Sequence, residues 1–168
     1  MNIKKNRFMT ALEGGRYDEA MRVLREKIEE TGACVISITD VVPPFTYTAG
    51  VFDTYGFPEL VMFGIDGRTA CLVINNILDR LKEGDRPDLS TPLDRLLEHG
   101  YQIVLEPIIC PDIVLSKMRV AQFFYNNEIP PVALICWPDQ FGRFAWEDDF
   151  QLRNDPLYST TTGITARY

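Results

Sequence analysis

Residues 44–66 read PFTYTAGVFDTYGFPELVMFGID, two β-type runs around a connection that holds aromatic, acidic and glycine residues. In the first run, 45–52, Phe45, Tyr47, Ala49 and Val51 fall on one face and Thr46, Thr48 and Gly50 on the other, the period of two that a strand imposes. Tyr55, Gly56, Phe57 and Pro58 supply a turn. Glu59 then opens the run 59–65, whose nearly unbroken apolar character is that of a central strand covered on both faces. Pro58 is tolerated at the start of such a strand but not within it, because it has no N–H for the ladder.

Upstream, Cys34, Ile36 and Ile38 alternate with Val35, Ser37 and Thr39, which predicts a strand over 33–41 that ends at Pro43 and Pro44. The short break before Phe45 favours antiparallel pairing with the run that follows. Before it, Tyr17, Ala20, Met21, Leu24 and Ile28 recur at helical spacing and Gly32 supplies a stop, so 17–31 is an amphipathic helix.

Downstream, Asp66 is placed to cap a helix over 67–83 with Cys71, Ile74, Ile77, Leu78 and Leu81 as its inner stripe. Thr91, Pro92 and Asp94 suggest a short helical turn. A strand at 101–109, a helix at 112–125 and a second near-continuous apolar strand at 131–137 complete the pattern. The fold class is α+β: a single domain with a mixed or mostly antiparallel five-stranded sheet packed by about three helices. Residues 1–16 form an N-terminal extension, 17–157 the domain and 158–168 a polar, threonine-rich tail.

The chain has 168 residues, a size that buries a core without disulfides or a structural metal. Its formal charge of −7 disfavours nucleic acid, since neutralising phosphates takes a concentrated basic surface. Nothing resembles a membrane span or a signal-peptide core, so a cytoplasmic location is expected. Cys34, Cys71, Cys110 and Cys136 lie far apart among apolar residues and read as buried thiols. The single histidine, His99, excludes a multi-histidine metal centre and reads as a helix-end residue. No cofactor is expected.

Three stretches taken together, Tyr47-Thr48-Ala49-Gly50, Gly56-Phe57-Pro58-Glu59-Leu60 and Trp137-Pro138-Asp139 with Gly142-Arg143-Phe144 and Trp146, resemble a widespread bacterial family known only as a domain of unknown function. The resemblance covers about 32–157. Many relatives have histidine where this chain has Phe57, and proline often precedes the tryptophan where this chain has Ala145. Any chemistry that relatives assign to that histidine does not transfer to this chain.

The residues themselves point to a binding module. Tyr47, Thr48, Asp53, Glu59, Trp137, Asp139 and Trp146 are expected to line one cleft between the Tyr47 strand and the Trp137 turn, holding a small molecule or a protein segment. An immunity or antagonist protein is one version. The acidic stretch containing Asp139, Glu147, Asp148, Asp149 and Asp155 would then meet a basic protein partner. A plain structural corner explains Trp137, Asp139 and Trp146 equally well as turn chemistry. The alternative function is a hydrolase that pairs Asp53 or Glu59 with Asp139 as acid and base. A flavin-binding barrel using the hydroxyls of Ser37, Thr39, Thr46 and Thr48 ranks below both.

Overall fold

A computed structural model describes residues 10–151 except 12, 98–99, 110–115 and 129. His99, Cys110, the first residues of the expected helix at 112–125 and the polar tail lie outside the described residues. The elements in chain order are α1 (Tyr17–Thr31), β1 (Cys34–Ile38), β2 (Phe45–Ala49), α2 (Val51–Tyr55), β3 (Glu59–Phe63), α3 (Gly67–Lys82), β4 (Pro92–Leu93), β5 (Ile103–Pro107), α4 (Arg119–Phe124) and β6 (Val132–Cys136).

The strands form one mixed sheet in the order β1-β2-β3-β6-β5-β4. β3 and β6 run parallel, and the other pairs are antiparallel. Their apolar runs occupy the two middle positions, as expected for strands covered on both sides. The fold class is therefore α+β. The sheet has six strands rather than five because Pro92 and Leu93, expected in a helical turn, pair with Val104 and Ile103 at the edge. Proline is acceptable there, where no further strand needs its missing N–H.

Strand alternation divides the core into two layers. Phe45, Tyr47, Ala49, Val61, Phe63, Val132 and Leu134 point to the face covered by α1, through Ala20, Leu24 and Ile28, and by α4, through Ala121 and Phe124. Leu60, Met62, Ala133, Ile135, Ile103 and Leu105 point to the other face, against Val73, Ile74, Ile77 and Leu81 of α3. Burying each such aliphatic side chain contributes about 1.5–3 kcal/mol before entropy is set against it. Ala11, inside the expected N-terminal extension, is buried in the α1 layer.

The ends of the long helices follow local chemistry. Gly32, with φ at 84°, closes α1 by donating its N–H to Ile28 O at 2.7 Å. Asp66 caps α3 as expected, its Oδ1 accepting from the N–H groups of Arg68 and Thr69 at 3.1 and 3.0 Å. The buried stripe of α3 is Ala70, Val73, Ile74, Ile77, Leu78 and Leu81. Cys71 lies off that stripe and is half-buried, as is Cys136, whereas Cys34 is buried as expected.

The stretch 45–52 departs from its expected form. The strand stops at Ala49, Gly50 turns the chain at φ 98°, and Val51 begins the short helix α2. Thr46 and Thr48 are buried. Tyr47 is buried against α4, its hydroxyl oxygen accepting from the Val120 N–H at 3.3 Å, and burial pushes its phenol up to about 12 although that N–H opposes the shift. Tyr47→Phe is expected to cost about 1 kcal/mol, one hydrogen bond of modest geometry, read as a lower urea midpoint with an unchanged slope.

Candidate functional site

Of the buried carboxylates, Glu59 and Asp139 lie at opposite ends of the parallel β3/β6 pair, and Glu106 sits on β5. Glu59, 0% exposed, begins β3. Its Oε1 accepts from the Gly50 N–H at 2.9 Å, the Phe52 N–H at 3.1 Å and the Tyr125 hydroxyl at 2.5 Å, and its Oε2 from the Thr48 hydroxyl at 2.5 Å. Thr48 Oγ in turn accepts from the Leu60 N–H at 2.8 Å. Burial drives the Glu59 carboxyl above its usual range, and the four donors oppose that without cancelling it. Burial and the neighbouring Glu59 charge raise the Tyr125 phenol as well. The network ties the start of α2 to the sheet and to the end of α4.

Asp139 follows β6. Its Oδ1 accepts from the N–H groups of Phe141 and Arg143 at 2.8 and 3.0 Å, and its Oδ2 from the Gln151 N–H at 3.1 Å. Desolvation pushes this carboxyl up, but those N–H groups and the Arg143 charge outweigh it and hold the group below the ordinary carboxylate range. The Trp137-Pro138-Asp139 sequence thus folds residues 139–151 around one carboxylate, with Trp146 stacked on Phe144 at 4.8 Å and 2° between the rings.

The expected single cleft is not formed. Tyr47 and Trp137 sit on opposite faces of the sheet, because odd positions of β2 point toward α1 and α4 while Trp137, continuing the β6 alternation, packs toward α3. The Asp53 or Glu59 pairing with Asp139 is not assembled either. Asp53 is exposed on α2 at Glu59's end, and the length of the strands places Asp139 on the order of 20 Å from Glu59, against the roughly 5–10 Å at which two carboxyls share a hydrolysis. Ser37 and Thr46 hydroxyls bond to each other at 2.9 Å rather than presenting a joint phosphate cradle.

The structure does hold a recess of about 430 Å³ on the α3 face, where Trp137, Pro138, Asp139 and Gln140 meet α3 and the segment before β5. Leu72, Leu96, Leu97 and Tyr101 supply most of the remaining wall that matters for chemistry. Both aromatic hydrogen-bonding groups in its wall are engaged within the chain. The Trp137 indole N–H donates to Phe63 O at 2.9 Å, extending the β3/β6 contact by one side-chain bond, and the Tyr101 hydroxyl donates to Gln140 O at 2.8 Å. What remains toward the recess is chiefly hydrocarbon. Of the seven residues expected to line one site, Trp137 and Asp139 line this recess, Thr48 and Glu59 share the other network, which Asp53 touches through Tyr125, and neither Tyr47 nor Trp146 lines the recess.

Leu72, Leu96, Leu97 and Tyr101 were not among the candidates from sequence. One signal marks Leu72: it falls outside the 70, 73, 74, 77, 78, 81 stripe and is 54% exposed, a large apolar side chain on the outer part of an amphipathic helix. Among the described residues, no group of three or more histidine, cysteine, aspartate or glutamate side chains is arranged to hold a metal, and no helix is long and apolar enough to cross a membrane.

No curated protein matches the chain, and no solved structure does. A family model described as Domain of unknown function (DUF4262) matches residues 27–151, a span that contains both carboxylate networks and the recess, and the chain belongs to that family.

Proposed function

We propose that the protein binds an apolar group non-covalently in the recess beside Trp137. The observation that carries this reading is the recess itself: about 430 Å³ walled by leucines and two aromatic rings whose N–H and O–H groups are engaged within the chain. A cavity of that volume accommodates a drug-sized or side-chain-sized apolar body, and its gain comes from area removed from water. The buried Glu59 and Asp139 carboxylates support folding roles in this reading, since each already accepts several hydrogen bonds from its own chain.

The test uses the neutral dye N-phenyl-1-naphthylamine, which brightens in apolar surroundings. Wild type is expected to bind it saturably. Leu72→Arg, a change at an exposed position that leaves the core intact, is expected to weaken binding by about tenfold or more through lost contact and an added charge at the wall. Tyr47→Phe, on the opposite face, leaves the titration unchanged. Equal affinity in wild type and Leu72→Arg contradicts the assignment.

A further inference from the structure

The wall of the recess is chiefly hydrocarbon, so the charged groups beside it weigh on which occupant it takes. This step rests on the apolar-recess reading above. One loop that adjoins the wall is acidic. Residues 139–151 wrap back on Asp139, with Gln151 N–H bonded to its carboxylate and Arg143 Nη1 donating to Asp149 O at 2.7 Å, so the Glu147-Asp148-Asp149 run belongs to the loop whose first residues, Asp139 and Gln140, line the recess. Of the acids in that loop Asp139 is buried, while Glu147, Asp148 and Asp149 are exposed, Glu147 accepting the Phe144 N–H at 2.6 Å and Asp149 lying 3.7 Å from Arg143, the one cation of the loop. Phe141, 57% exposed, extends an apolar surface outward under the Arg143 guanidinium, 5.1 Å from its ring.

From this we infer that the occupant is a polypeptide segment of a partner protein, with an apolar anchor residue in the recess and lysine or arginine on either side facing the 147–149 carboxylates. An acidic loop on a chain of net charge −7 repels phosphate-rich surfaces and draws a basic segment, while the anchor supplies the burial that surface charge alone does not. Exposed charge pairing is screened over about 10 Å at 0.1 M salt, so the loop's contribution must fade as salt rises.

Three peptides with one anchor test this: acetyl-KKLFLKK-amide, acetyl-SSLFLSS-amide and acetyl-EELFLEE-amide, titrated against the full chain at 50 mM and 500 mM sodium chloride, with the naphthylamine dye titrated in parallel. The expected order at low salt is lysine over serine over glutamate, with at least tenfold between the first two, narrowing to less than threefold at high salt. The double variant Asp148→Lys/Asp149→Lys is expected to reverse the preference while binding the dye as wild type does, which shows it folded. Dye binding with no preference among the peptides overturns the basic-segment inference and leaves the recess reading standing. Loss of dye binding in wild type removes the recess reading itself, and this inference with it. Lysine-peptide binding that Leu72→Arg leaves unchanged also overturns it, since the anchor would then lie elsewhere.

Discussion

Glu59→Ala is expected to lower stability by about 3–5 kcal/mol, the largest loss among single changes at polar positions considered for this chain, because it strands several buried donors at once. The Gly50 and Phe52 N–H groups and the Thr48 and Tyr125 hydroxyls all converge on that carboxylate. The hydroxyls can turn elsewhere; the two N–H groups cannot. Glu59→Gln keeps an acceptor for them and is expected to cost about 1–2 kcal/mol. Urea unfolding at neutral pH separates the two variants. Equal stability of Glu59→Ala and wild type would show that the network contributes nothing.

The same residue gives a pH signature with a definite sign. Its folded-state carboxyl titrates above the ordinary 4.5 because of burial. Between 4.5 and that raised value the folded chain keeps the proton and the unfolded chain releases it, so stability falls as pH rises through the window. Asp139 acts oppositely. Its folded carboxyl lies below 3.8, so its contribution is present above 3.8 and is lost as the medium becomes more acidic than that. Comparing Glu59→Gln with wild type across pH 4 to 7 isolates the first effect: the gap between them should shift in favour of the glutamine variant as pH rises.

The second large effect is expected at Gly50→Ala, about 2–5 kcal/mol, combining strain at positive φ with overpacking. Gly50 has φ 98°, and an added Cβ would stand 2.6 Å from Ile28 Cγ2 and 2.9 Å from Cδ1, in the layer where α1 meets the sheet. Gly142→Ala supplies the comparison. Its φ is 80° but nothing lies within 4 Å of an added Cβ, so the conformational cost of about 1–2 kcal/mol acts alone. Denaturation midpoints of the two variants measure the steric part by difference. If Gly50→Ala proves no worse than Gly142→Ala, the close approach of α1 to this turn is not as described.

The long amphipathic helices and the central strands were legible because their patterns are local: Leu24 and Ile28 repeat at helical spacing, and Val61, Met62 and Phe63 form an apolar run. α2 was not. Val51 and Phe52 favour strands, and what makes them helical is Gly50 at positive φ together with a carboxylate that arrives from β3 to hold the Gly50 and Phe52 N–H groups. β4 has two residues, too few for any period.

The candidate site was legible in its parts and not in its assembly. Trp137 and Asp139 stood out by residue type, but the face to which each aromatic points depends on strand alternation joined to strand order, and order is a long-range property. The sheet between Tyr47 and Trp137 is the outcome. The wall residues Leu96 and Leu97 have the spacing of a short helical turn with Leu93 but lie in an irregular segment, and Tyr101 precedes β5 rather than opening it, so only packing against α3 gives them a shared recess.

The most direct test of that account is a backbone and indole ¹H–¹⁵N NMR titration of the full chain with the lysine-flanked peptide. The account predicts perturbations concentrated on Leu72, Leu97, Tyr101 and the Trp137 indole, with Val120 and Tyr125 on the far face unmoved. Shifts centred on Tyr47, Val120 and Tyr125, with the Trp137 signal unchanged, would contradict it.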